Sequence, residues 1–361
     1  MGKVQHNNYI AIAKALAIIL MVIGHSGCPQ LLTNVIYLFH MPLFFFCSGI
    51  FYKDTLSKNS VFLFLRKRVI GLYIPFVRWA VAFLLLHNLF FLIGIYNSNY
   101  GYDGGSSYYS FTDMMQKFFS IVFSMHGYEE LLGGFWFIRA LFITSLLIAL
   151  VSLMWRKSYK YKHEILCLFF LALTVLIRRL FPDPEFWRDI SMGTFGAFFY
   201  MLGHLVMPYA HYWQNKYIAI LCGLFLVLSY FHFKNGISMG CGFNKVVPFS
   251  ISAISGTMLT LYFSDMIDKK CPAIKSALYY IGNHTLDILA LHFLSFRFVS
   301  YVIVVIYGIN FSHIAEHPVI KDVSVQHAYW WILYCIVGIL LPLLLNYIWN
   351  RLVNTIKIKI K

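Results

Sequence analysis

The chain is cut into a succession of apolar runs, each close to twenty residues and separated by short charged or turn-forming segments. A run of that length, wound as a helix, spans about 30 Å of hydrocarbon. Lipid offers backbone N–H and C=O groups no partner, so each run must close its hydrogen bonds internally, as a helix does. The runs fall at roughly 9–27, 34–52, 70–96, 134–154, 164–181, 190–208, 217–233, 247–265, 277–296 and 328–350. The expected fold class is an all-α integral membrane protein with about ten transmembrane helices in a single bundle. Two shorter apolar stretches, 115–125 and 298–309, suit interfacial or re-entrant segments. No internal repeat divides the chain, so residues 1–361 read as one membrane domain.

Charge supports that reading. Only 12% of residues are charged and 60% are hydrophobic, whereas a soluble domain carries about 25% charged residues. The net charge of +15 would suggest nucleic acid in a soluble protein. Here the basic residues cluster between apolar runs, which points to membrane topology and anionic lipid, with no nucleic acid as partner. With a cytoplasmic N-terminus, eighteen lysines and arginines fall on the cytoplasmic side and eight outside. That asymmetry predicts an even number of spans, both termini cytoplasmic and a short basic tail over 351–361. The loop at about 97–133 is then external. Its tyrosines and acidic Asp103, Asp113, Glu129 and Glu130 suit either sugar contact or interfacial anchoring. Seven scattered cysteines without a CxxC pair argue against a disulfide framework or a zinc site. The first apolar run, followed at once by others, reads as an uncleaved span.

Ionisable groups inside spans need a partner or a cavity. Lys14 and His25 share the first span, eleven residues apart. Eleven steps of 100° bring them within about 20° of one helix face, about 16 Å apart along the axis. They either line the protein interior together, or Lys14 snorkels and His25 sits at the interface. His40 opens the second span, two residues before Pro42, and is expected at the membrane level of His25. Two histidines at one depth suit sharing a proton or a substrate; a lone interfacial histidine is the alternative. Trp136 and Arg139 lie in the fourth span, and Asn283, Asp287 and His292 in the ninth. Asp287 calls for a partner, with Lys14, Arg139 or a histidine as candidates. Arg66, Lys67 and Arg68 form a basic run that suits a positive-inside anchor or a phosphate clamp for a nucleotide-bearing donor. No glycine-rich phosphate loop, zinc motif or Gly-x-Ser-x-Gly elbow is present. Histidine is left as the natural chemical group, since its ordinary pKa suits a general base near neutrality.

These residues resemble a known family. The stretch from Tyr9 through Lys14 to Gly24-His25-Ser26, and Phe39-His40-Met41-Pro42-Leu43-Phe44, are similar to the opening motifs of the membrane acyltransferase-3 family. Trp136-Phe137 and the segment from Gly282-Asn283 to His292 look like its later landmarks. The resemblance covers essentially the whole chain. It implies about ten spans in a bacterial inner (plasma) membrane. It also implies transfer of an acyl group, commonly acetyl from acetyl-CoA as co-substrate, to a hydroxyl of a cell-surface polysaccharide or its lipid-linked precursor. Carried over by position, His25, Lys14 and His40 are the expected catalytic set. Arg66, Lys67 and Arg68 are expected at the acyl-CoA, and Trp136, Arg139, Asn283, Asp287 and His292 in support. No metal is expected. Expected partners are membrane lipid, a carbohydrate acceptor and acyl-CoA, together with envelope-polysaccharide biosynthesis proteins. Three positions depart from the family pattern: Ala11 stands where an Asp is common, Lys14 where Arg is commoner, and Gly71 where the second cytoplasmic arginine is expected.

One mechanism follows from the resemblance. Acetyl-CoA docks with its phosphates near Arg66–Arg68, and His25 either deprotonates the acceptor hydroxyl or takes the acetyl and passes it on. The rival from another class is a polytopic transporter or flippase for a lipid-linked glycan, because intramembrane histidines, a lysine and an aspartate also suit a carrier. Such carriers carry Gly/Pro-broken spans at matching places in two halves, and no such pairing is visible.

Overall fold

The computed structural model describes residues 8–54, 57–101, 103–155, 159–181, 185–233, 236–240, 245–321 and 329–360. Lys3, Arg156, Lys157, Lys234, Cys241 and Lys361, which entered the sequence reading, lie outside them. Every regular element among the described residues is helical. The α-helices are α1 (Asn8–His25), α2 (Gln30–Tyr37), α3 (His40–Ile50), α4 (Lys58–Arg68), α5 (Ile74–Leu92), α6 (Phe111–Ser124) and α7 (Trp136–Met154). They continue with α8 (Lys162–Leu180), α9 (Glu185–Val206), α10 (Lys216–His232), α11 (Val246–Lys270), α12 (Pro272–Asn283), α13 (Thr285–Tyr307) and α14 (Trp330–Ile360). The protein is an all-α integral membrane protein.

Among the described residues, eight helical stretches are long and apolar enough to cross a membrane. They are Asn8–His25, Gln30–Ile50, Lys58–Leu92, Glu130–Met154, Phe186–Tyr209, Val246–Lys270, Thr285–Tyr307 and Trp330–Val353. Two of the ten expected spans fall outside that set. α8 carries Lys162, Glu164, Arg178 and Arg179 at its ends, which leaves it too charged. α10 has only 17 residues. The expected ninth span at 277–296 is displaced. The chain breaks at His284, and the spanning helix runs on to Tyr307, taking in the short stretch at 298–309. The expected third span is the C-terminal part of a longer helical run from Lys58, in which a π-helical turn, Val69–Tyr73, joins α4 to α5.

The chain divides into two compact units. The first contains residues 8–17, 30–76 and 136–283. Its centre is α9, packed against α3, α7 and α8, with Phe195, Phe199 and Tyr200 fully buried. Glycines let α3 and α9 approach backbone to backbone. A Cβ at Gly49 would overlap the Tyr200 carbonyl, and one at Gly203 would overlap the Phe46 carbonyl. Small residues at helix crossings are how helices gain dispersion contact in lipid, where no hydrophobic drive separates one apolar surface from another. Gly49→Ala is therefore expected to destabilise the protein by about 1–3 kcal/mol, read as a lower unfolding temperature in detergent. An unchanged melting curve would contradict this close crossing.

The second unit contains residues 18–29, 77–135 and 284–360. Here α13 packs along α14, against a 3₁₀ turn over Glu130–Phe135 and against another over Phe311–Ala315. The C-terminal half of α1 belongs to this unit, so His25 sits within it. The segment 97–133, expected as an external loop, contains α6 and two 3₁₀ turns. Its acids do not all face outward, since Glu129 and Glu130 are 5% and 2% exposed.

A candidate active site around His25 and His292

His25 is the last residue of α1 and is half-buried. Its imidazole lies 5.7 Å from the His292 ring and 5.0 Å, edge-on, from the Phe293 ring. His292 sits two turns into α13, on the face that meets the Glu130–Phe135 turn. Gly134 makes that approach possible, because a Cβ there would come within 2.7 Å of Leu289 and 3.9 Å of the His292 ring. His292 is 0% exposed. Its Nδ1 lies 3.1 Å from the Ile288 carbonyl and 3.0 Å from the Leu289 carbonyl. Carbonyls only accept, so Nδ1 carries the proton and Nε2 is left as a lone-pair acceptor. Phe293 also packs 4.5 Å from the His317 ring. Burial, followed by the Arg297 charge, holds the His317 imidazole down to about 2. That ring is neutral at any working pH.

A buried polar network holds the segment that carries His317. Arg297, 3% exposed, donates to the Glu130 carboxylate at 2.7 Å and to the Glu316 main-chain carbonyl. The Glu316 carboxylate accepts from the Lys321 backbone N–H and, at 2.9 Å, from His313. Tyr100 meets the other nitrogen of His313 at 3.3 Å. Beside this network lies a cavity of about 590 Å³ lined by Tyr100, Glu316, His317, Pro318 and Lys321. It falls in the size range of small-molecule sites. A second buried cluster joins Glu129 to His87 at 3.0 Å and to Tyr96 at 2.9 Å. His87 also reaches the Ser107 carbonyl at 2.9 Å and stacks on Tyr109. Burial and then the Glu129 charge push the Tyr96 phenol well above its usual range, which keeps it a donor to Glu129.

Of the residues expected from sequence, His25 and His292 come together. Lys14 lies on the same helix as His25, half-buried, with no carboxylate partner among the described residues; the Cys47 thiol lies within electrostatic reach. His40 is buried in the first unit, with Nδ1 on the Ile36 carbonyl at 2.9 Å and its ring 5.2 Å from Tyr37. Arg139 does not pair with Asp287. It pairs with Asp189 at 2.8 Å, because α7 and α9 pack together. Asp287 instead accepts from Asn346 of α14, with Arg78 and His284 within electrostatic reach. Asn283 is exposed and turned to its own helix, donating to the Tyr279 carbonyl at 3.0 Å. Trp136 packs at Gly240, where a Cβ would come within 2.9 Å of the indole. Arg66 and Lys67 are exposed, while Arg68 donates to the Tyr200 hydroxyl at 2.6 Å and lies over the Phe64 ring.

Sequence reasoning missed Glu130, Arg297, Phe293 and His317. A ninth span over 277–296 leaves Arg297 just beyond it in an external segment, whereas α13 runs on to Tyr307 and buries it. Its position inside the apolar stretch Ser295–Val299 was the available signal, since a cation there demands a buried partner.

The fold defines a multi-pass membrane protein, and His25, His292 and His317 gather around the Phe293 ring. A family profile described as an acyltransferase domain matches residues 7–351. The chain belongs to the acyltransferase-3 family and is a membrane acyltransferase. No curated protein and no solved structure was found to be similar to it.

Proposed function

We propose that the protein is an O-acyltransferase that moves acetyl from acetyl-CoA to a hydroxyl of a cell-surface polysaccharide or its lipid-linked precursor. The observation that carries this reading is the His25 imidazole set against His292 and Phe293 within a family of acyltransferases. In this reading a His25 ring nitrogen attacks the thioester carbonyl. The C–S bond breaks, CoA leaves as the thiolate, and the acetyl waits on His25 for the acceptor hydroxyl. The phosphates of acetyl-CoA are taken by Arg66–Arg68, of which Arg66 and Lys67 are free of burial. That basic end is cytoplasmic, both chain termini lie on the same side, and the membrane is the bacterial inner membrane. The acceptor glycan enters through the cavity at Tyr100, Glu316 and Lys321, where a tyrosine ring and mixed charges suit a hydroxyl-rich ligand. Enzymes that build the envelope polysaccharide supply the acceptor.

Purified protein given acetyl-CoA carrying a labelled acetyl group is expected to release CoA. Cells making the protein are expected to carry surface glycan heavier by whole acetyl masses than cells without it. A transporter of lipid-linked glycan would release no CoA and would leave the mass of each glycan unchanged.

A further inference from the structure

We propose that His292 is a second catalytic histidine, and that its Nε2 takes the proton of the acceptor hydroxyl during transfer from His25. The proposal rests on the acyl-His25 reading above and assigns the step that reading leaves open. An acceptor hydroxyl must lose its proton as its oxygen bonds to the acyl carbon, and a base must stand beside it.

Three observations place that base at His292. The ring is 0% exposed and fixed in one tautomer, because Nδ1–H is shared between the Ile288 and Leu289 carbonyls of its own helix. Its Nε2 is buried and has no hydrogen-bond partner among the described residues. A buried acceptor left without a donor costs free energy that a structural histidine has no reason to bear, and a ligand hydroxyl meets that need. Finally, the surroundings combine aromatic rings with two other imidazoles. The Phe293 and Phe296 rings lie 3.9 and 5.7 Å away, His25 lies 5.7 Å away between ring centres, and His317 is within electrostatic reach. No hydrogen bond joins the two histidines, so Nε2 is available to a third group brought beside His25.

The step balances. The acceptor oxygen attacks the carbonyl carbon of acyl-His25 while its proton passes to His292 Nε2. The C–N bond breaks and returns its electron pair to His25. CoA has by then left and taken its proton from water, and the protonated His292 returns a proton to water, which restores both rings and leaves ester and thiol. Each imidazole has one role: His25 carries the acyl group and His292 carries the proton.

Rapid-mixing assays on the full chain in detergent, with acetyl-CoA as donor and water as acceptor, separate these roles. Wild type is expected to release one equivalent of CoA in a burst and then to hydrolyse acetyl-CoA steadily. His292→Gln is expected to keep the burst and to hold acetyl on His25, found by peptide mass spectrometry. Its steady rate is expected to fall by at least about 10²-fold. A steady rate in H292Q within a few-fold of wild type would overturn the proposal. So would loss of the burst in both H292Q and H292N in protein that remains monodisperse, since His292 would then act in acyl loading. Wild-type turnover without a burst overturns the acyl-His25 step, and wild type that releases no CoA overturns the donor assigned under the proposed function.

Discussion

His25→Ala is expected to lower acyl transfer by at least about 10⁴-fold while the protein still inserts and purifies as a folded species. In the proposed acyl-His25 mechanism His25 carries the covalent intermediate, and removing such a residue costs far more than removing a helper. The structural cost is small by comparison. His25 ends α1, so no helix interior is disturbed, and the losses include its ring contacts with His292 and Phe293. Aromatic pairs contribute about 0.5–1.5 kcal/mol each beyond burial, which a membrane protein of this size tolerates. His25→Phe is the sharper control, since it keeps a flat, slightly larger ring against Phe293 and removes the nitrogens. Both variants are expected to elute like wild type on size exclusion and to transfer no labelled acetyl. A His25→Phe protein with transfer within tenfold of wild type would remove His25 from the chemistry.

The helical membrane fold was legible in the sequence because its cause is local. Twenty apolar residues in a row declare a span whatever the rest of the chain does. His25 and His292 were legible for a related reason, as polar rings set in apolar helices. What the sequence could not convey was which groups meet across helices. Asp287 had Lys14, Arg139 or a histidine as reasonable partners on paper; the structure has it accept from Asn346, with one histidine, His284, and Arg78 within electrostatic reach. Arg139 was one of those three, yet it is satisfied by Asp189 at the start of α9. Helix ends were the other gap. A ninth span ending at 296 leaves Arg297 in an external segment, whereas the helix runs on to Tyr307 and buries Arg297 in the polar network. Glu129 and Glu130 misled for the opposite reason, since acids in a tyrosine-rich loop look solvated until a cation and a histidine are found facing them.

The Glu130–Arg297 pair carries the largest expected effect on stability. Both side chains are essentially buried, at 0% and 3% exposure. Glu130→Ala leaves a guanidinium without its carboxylate in a low-dielectric setting, which costs about 3–5 kcal/mol. Glu130→Gln keeps an acceptor in place and should fall between wild type and Ala. The informative variant is the double replacement of Glu130 and Arg297 by Met, which removes both charges together and with them most of the desolvation penalty. It does not restore everything, because Arg297 also donates to the Glu316 carbonyl. That carbonyl loses its donor, at about 1–3 kcal/mol. The double variant should therefore melt above Glu130→Ala and below wild type in the same detergent. Activity should separate from stability. The Arg297–Glu316 bond holds the segment that presents His317 to Phe293, and Phe293 packs on His25. Met at 297 restores packing without that bond, so acyl transfer should stay depressed in the double variant even as the melting temperature recovers. A double variant that melts with Glu130→Ala would show that charge pairing is not what holds this corner of the protein. One that regains full activity would show that Arg297 has no part in setting the geometry around His25.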